Sequence, residues 1–185
     1  MEKKVLSEVA VYYGEVKRPK GYEINRPEIK ANILQAQLEN RTISDSEFSY
    51  RFFDYSLKDL FSKPMGHVHE YMQEYFKLKH GRTLLPVLSF GNILQHREQS
   101  FSRKCLDETC LKNEPDYIMI YGVDVSKDST NVVIEYDDNR RNDKTWHVPL
   151  NNNGFVMFPT TQRFFITGNV YHSPNVFLLT TFEYV

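Results

Sequence analysis

The residues able to do chemistry are few and scattered along this chain of 185 residues, which has six histidines and two cysteines. His67-Val68-His69-Glu70 packs two imidazoles and a carboxylate into one short run. Residues i and i+2 of a helix do not share a face, and His80 follows only roughly three turns later. The run therefore reads as the polar surface of a helix. Cys105 and Cys110, with His96, offer donors suited to zinc, but C-x4-C is a loose spacing and no fourth ligand is evident. Two ordinary thiols are the plainer reading. His147 stands between Trp146 and Val148 in a strand-like run, as a polar face residue. His172 sits in a Tyr-His-Ser-Pro loop with no recognisable partner.

The most distinctive polar stretch is Glu135-Tyr136-Asp137-Asp138-Asn139-Arg140-Arg141-Asn142-Asp143-Lys144. It reads either as a charged, self-paired β-turn or as a recognition loop. In the second case Asn139, Arg140 and Arg141 supply planar donors suited to carboxylates or phosphates. The acidic neighbours count against nucleic acid, which rewards uncompensated positive charge. Arg103-Lys104 forms a second basic pair, and Arg163 a further single cation.

Composition sets mild bounds on these sites. The 23 basic and 24 acidic residues nearly cancel, so no global field points to nucleic acid or an anionic membrane. No apolar run approaches the ~20 residues of a membrane helix, and Met1-Glu2-Lys3-Lys4 leads into no signal-peptide core. Two cysteines fit a reducing compartment better than a disulfide scaffold. The length suits a single domain, 1–185.

The elements that position these residues fall into two blocks. In residues 1–82, Val5 to Val16 reads as a strand. Asn25-Arg26-Pro27-Glu28 reads as a helix start, with Asn25 capping and Glu28 reaching back. Ile29, Ile33, Leu34 and Leu38 continue it as an apolar stripe to near Asn40. A partly helical aromatic segment follows Ser44 and ends near Phe61. Met65 to His80 is the clearest helix: Val68, Tyr71, Met72, Tyr75 and Phe76 repeat at helical spacing. Lys77, Lys79 and His80 suit its negative end, and Gly81 stops it. In residues 83–185, eight short runs rich in β-branched and aromatic residues follow one another through turns. They begin near Thr83, Gln99, Asp116, Asn131, Thr145, Asn153, Arg163 and Asn175. Short turns with no intervening helix imply antiparallel pairing. The fold class is α+β, mainly β: a jelly-roll-like barrel with N-terminal helices packed on it.

Three patches carry a resemblance. They are Phe90-Gly91-Asn92-Ile93-Leu94, the pair Asp116–Val125 and Val132-Val133-Ile134-Glu135-Tyr136, and Gly154-Phe155-Val156-Met157-Phe158-Pro159-Thr160. With the helix-then-strands order, Thr83 to Val185 resembles the double-stranded β-helix of iron(II)- and 2-oxoglutarate-dependent oxygenases. The small versions encoded by tailed phages are the most similar. The resemblance implies two histidines and a carboxylate on one face of the barrel, holding iron with positions left open.

This chain departs from that pattern in three places. The stretch matching the first metal motif, Gln99 to Asp107, has no histidine and carries Arg103 and Lys104. His96-Arg97-Glu98 is the one H-x-E upstream, with His96 and Glu98 expected on a common strand face. The distal histidine is expected within about four residues of Phe158-Pro159-Thr160, where Thr161-Gln162-Arg163-Phe164 stands instead. The last strand, Asn175 to Val185, has no basic residue to anchor oxoglutarate.

The expectation is a catalytically retired oxygenase fold with no cofactor. It serves as a virion component of neck or tail, or as a scaffold in the host cytoplasm, binding a viral or host protein or a second copy of itself. Arg103, Lys104, Asn139, Arg140, Arg141 and Arg163 are its binding candidates. The alternative is an active oxygenase using iron(II) and 2-oxoglutarate, with His96, Glu98 and His172 as metal ligands.

Overall fold

The computed structural model describes residues 9–17, 23–41, 62–97, 103–104, 115–136 and 144–185. The helical segment expected between Ser44 and Phe61 lies outside them, as do Glu98, Cys105, Cys110, Asn139, Arg140 and Arg141. The elements in order are β1 (Tyr12–Glu15), α1 (Arg26–Arg41), α2 (Lys63–His80), β2 (Leu84–Leu94), β3 (Arg103–Lys104), β4 (Tyr117–Asp124), β5 (Asn131–Tyr136), β6 (Lys144–Pro149), β7 (Gly154–Pro159), β8 (Arg163–Ile166) and β9 (Asn175–Tyr184).

The strands form two antiparallel sheets, ordered β1-β7-β4-β9-β2 and β3-β8-β5-β6. Strands β2 to β9 thus wind between the two sheets, which is the double-stranded β-helix. Every strand pairing is antiparallel, as the short turns required.

The central strands of the larger sheet are buried on both faces, which explains their nearly continuous apolar sequences. Alternation sends Ile118 and Ile120 of β4, Val156 and Phe158 of β7, and Phe177 and Leu179 of β9 into the gap between the sheets. Met119, Tyr121, Phe155, Met157, Leu178 and Phe182 point the other way, onto the helices. From the smaller sheet, Val132, Ile134, Val148, Phe164 and Ile166 close the inter-sheet core.

Both helices pack on the outer face of the larger sheet. Asn25 caps α1 reciprocally: its Oδ1 accepts from the Glu28 amide at 3.3 Å, and its Nδ2 donates to Glu28 Oε2 at 2.9 Å. The α1 stripe is narrower than expected. Ile29 and Ile33 are buried, but Leu34 and Leu38 are exposed, because only one line of the helix meets the sheet. In α2 the expected stripe holds, with Val68, Met72 and Phe76 buried and Tyr71 and Tyr75 packed at its margin. Gly81 takes the left-handed conformation, φ 65°, and its amide donates to Lys77 O.

Three consecutive asparagines build the turn into β7. Asn152 Oδ1 accepts from the Val125 amide at 2.6 Å. Asn153, at φ 62°, accepts from the Tyr121 hydroxyl at 2.9 Å and donates from Nδ2 to Val16 O at 2.7 Å. Asparagine tolerates that left-handed geometry better than most residues. One turn therefore ties β1, β4 and β7 together.

Candidate functional site

Two ends of β8 matter for function, and their chemistry differs. At its start, β8 lies between β3 and β5, with Arg163 in register with Lys104 on one side and Glu135 on the other. Phe164 and Ile166 belong to the inter-sheet core, so alternation puts Arg163 on the outer face of the sheet. There its Nε lies 3.5 Å from Glu135 Oε2, both side chains partly solvated. Such an exposed pair contributes about 0–1 kcal/mol. Arg163 is thus a surface residue, and no cation enters the barrel from this position.

The interior at this end is aromatic. Phe158, from the end of β7, meets Phe164, from the start of β8, edge to face with ring centroids 4.9 Å apart. Thr160, two residues beyond Phe158, is committed to the chain itself: its hydroxyl donates to Pro115 O and its amide to Asp116 O. On β9 the inward positions are Phe177 and Leu179, then Thr181, whose hydroxyl lies 3.5 Å from Leu88 O. Among the described residues no three His, Cys, Asp or Glu side chains gather as a metal centre.

Beyond the other end of β8 lies a contact that only the alternative oxygenase reading had joined. His172, which its loop sequence left with no recognisable partner, lies against His96, with ring centroids 4.4 Å apart and planes inclined by 33°. The strand alternation expected to run from His96 towards Glu98 is interrupted at Arg97, which sits at φ 63° and so leaves the extended conformation. What joins His96 to His172 is Asn169, fully buried between the β2–β3 and β8–β9 loops. Its backbone O accepts from the Arg97 amide at 2.8 Å. Its Nδ2 donates to Leu94 O and Ser173 O, and its Oδ1 accepts from the Tyr171 amide. A single buried Asn in a polar loop gave no signal of this kind.

A third polar group lies between α2 and the larger sheet. His69, expected on the surface, is buried, with Nε2 3.1 Å from Thr180 Oγ1 and 3.2 Å from Ser89 Oγ. The two hydroxyls are 3.0 Å apart. His69 lies on the buried face of α2, beside Val68 and Met72, and its ring sits edge-on to Phe182. The three groups satisfy one another where a lone polar group would be costly. Buried this deeply, the trio links α2 to the larger sheet.

The architecture has known counterparts among solved structures. No sequence-family model matches the chain, and no curated protein matches it. Solved structures do. AviO1 from Streptomyces viridochromogenes Tue57 superposes with a TM-score of 0.59 at 10% identity, covering 95% of this chain and 90% of that one. A Pseudomonas putida prolyl-4-hydroxylase gives 0.55 at 9% identity, over 94% and 91% of the two chains. The viral collagen prolyl hydroxylase of Paramecium Bursaria Chlorella virus-1, solved with 2OG, gives 0.56 at 8% identity, over 92% and 95%. Other matched chains are longer, and this chain spans 52% of one and 47% of another. At such identities the likeness is one of fold: the chain has the double-stranded β-helix of 2-oxoglutarate oxygenases. No helix among the described residues is long and apolar enough to cross a membrane.

Proposed function

We propose that this chain is a non-catalytic double-stranded β-helix, a scaffold that binds a protein partner in place of turning over 2-oxoglutarate. One observation carries the reading. The inward positions at the end of β7 and the start of β8 are Phe158 and Phe164, packed against each other in the space where the oxygenase resemblance expects a histidine. An aromatic pair fills volume and offers no lone pair to a metal. The absence of any basic residue in Asn175 to Val185 points the same way. The scaffold role, as a phage neck or tail component or as an intracellular factor, rests on the resemblance to phage-encoded members. Its charged β5–β6 connection, with Arg140 and Arg141, is the proposed contact.

A second reading has one observation in its favour. His96 and His172 do lie side by side, so an oxygenase with a displaced metal site, completed by Glu98, is the competitor. The discriminating assay is succinate formation with iron(II), ascorbate and 2-oxoglutarate, run beside His96→Ala. No succinate above the enzyme-free background is expected. Succinate release that disappears in His96→Ala would overturn the scaffold reading. Detection of the chain at fixed stoichiometry in purified particles separates a virion component from an intracellular one.

A further inference from the structure

We propose that His96 and His172 form a two-histidine site for a borderline divalent ion of the zinc type, at the end of the barrel opposite to the Phe158–Phe164 pair. The site is independent of oxygenase chemistry. It stands beyond the C-terminal end of β8, on the β2–β3 and β8–β9 loops.

The geometry of the rings is the first argument. Two imidazoles that hold one tetrahedral ion side by side, each nitrogen ~2.0–2.1 Å from the metal, bring their ring centroids to roughly 5 Å. The observed separation is 4.4 Å, slightly closer, and His172 is exposed, so its ring has room to turn outward and admit the ion. The second argument is orientation. His96 Nδ1 lies 3.0 Å from Tyr171 O. A carbonyl only accepts, so Nδ1 is the donor to it and Nε2 is the nitrogen that remains to meet a ligand. A metal-binding histidine is commonly oriented by such a bond from its other nitrogen to a backbone carbonyl. Here the carbonyl belongs to the residue just before His172, so one hydrogen bond orients the first ring and fixes the loop carrying the second.

The third argument is preorganisation. Asn169 is fully buried and bonds to both loops through backbone and side chain, holding them in mutual register. Arg97 is kept in the left-handed region in the same clamp. Such backbone strain persists where surrounding contacts over-determine it. The neighbouring Arg97 side chain is exposed, so water and salt screen its charge from the site. His172 is exposed and His96 half-buried, so an ion held by the two rings would complete its coordination with water. Bound there, the ion staples the two loops and stabilises the fold by mass action.

The test uses the full chain and Zn2+ alone, followed by calorimetric titration and by NMR of the histidine rings. One equivalent is expected to bind, shifting the His96 and His172 ring signals and raising the melting temperature. His96→Gln and His172→Gln are each expected to lose affinity at least about tenfold, with His80→Gln unchanged. His172 is exposed, so His172→Gln reports on binding even if His96→Gln loosens the loop. Absence of saturable binding below about millimolar Zn2+, binding undiminished in His172→Gln, or ring shifts confined to other histidines overturns the proposal. The readout here is Zn2+ binding and not turnover, so a failure to bind leaves the scaffold reading standing, and succinate release, which would overturn that reading, is measured separately.

Discussion

Phe158 and Phe164 meet edge to face across the gap between the two sheets, their ring centroids 4.9 Å apart, one ring contributed by each sheet. Both are almost fully buried, and Ile118, in register with Phe158 on β4, lines the same core. The pair is thus the packing of the barrel at this end. Phe158→Ala is expected to destabilise the chain by ~3–5 kcal/mol, because the rigid sheets cannot collapse onto the space left behind. Denaturant unfolding measures this. A variant melting within about two degrees of the parent would show that the ring does not support the core.

Gly122 and Gly66 make a paired test of close approach. A Cβ on Gly122 would stand 2.2 Å from the backbone O of Asn151, where β4 passes the asparagine turn. Backbone cannot step aside cheaply, and the Asn153 amide donates to Gly122 O at 2.8 Å in the same place. Gly122→Ala is expected to lose about 1–3 kcal/mol, the usual range for an overpacked core. At Gly66, in the first turns of α2, an added methyl would meet nothing within 4 Å. Gly66→Ala is expected to gain about 0.5–1 kcal/mol from helix propensity. Opposite signs in the two melts confirm the pairing; a neutral Gly122→Ala would mean the turn lies further from β4.

The order of strands was legible because each element announces itself locally. The eight runs after Thr83 alternate or stay apolar over strand lengths, and asparagine, glycine and proline mark their ends. The helix α2 was legible for the same reason, from Val68 through Phe76 to Gly81. The width of an apolar stripe was not. Leu34 and Leu38 fit the α1 period, yet how much of a helix is covered depends on the curvature of the sheet beneath it, which no local pattern encodes.

Side-chain clusters made from distant segments were the least legible. His69, Ser89 and Thr180 come from α2, β2 and β9, whereas His96 and His172, on two loops, were joined only in the alternative metal reading. Their meeting depends on pairings such as Ser89 with Thr180 in the β2–β9 ladder, which set the register of the polar positions. Period-two alternation was a poor guide beyond His96, because Arg97 takes a positive φ that its sequence does not announce. Arg163, by contrast, was placed correctly along the chain but only the Phe164 packing fixes which face it takes.

One buried tyrosine, Tyr121, and one partly buried, Tyr117, give the last prediction, a loss of stability in alkali. Burial, above all, pushes the Tyr121 hydroxyl well above the usual tyrosine value, partly opposed by the charge of Arg26. Burial likewise raises Tyr117, reinforced by the hydrogen bond it shares with the Tyr184 hydroxyl at 2.7 Å and by the neighbouring Tyr12. In the folded chain both keep their protons at a pH where the unfolded chain, with tyrosines at about 10, releases them. The unfolded state then binds fewer protons than the native one, so stability falls as pH rises above about 10 and is unaffected by these groups well below it. Tyr121→Phe separates the two roles of that hydroxyl. It removes the bond to Asn153 Oδ1 and is expected to cost about 1 kcal/mol at neutral pH, while making the decline above pH ~10 shallower. Tyr117→Phe is expected to flatten the decline as well. Urea midpoints collected from neutral to strongly alkaline pH measure both effects, and an alkaline slope unchanged in both variants would assign it to other groups.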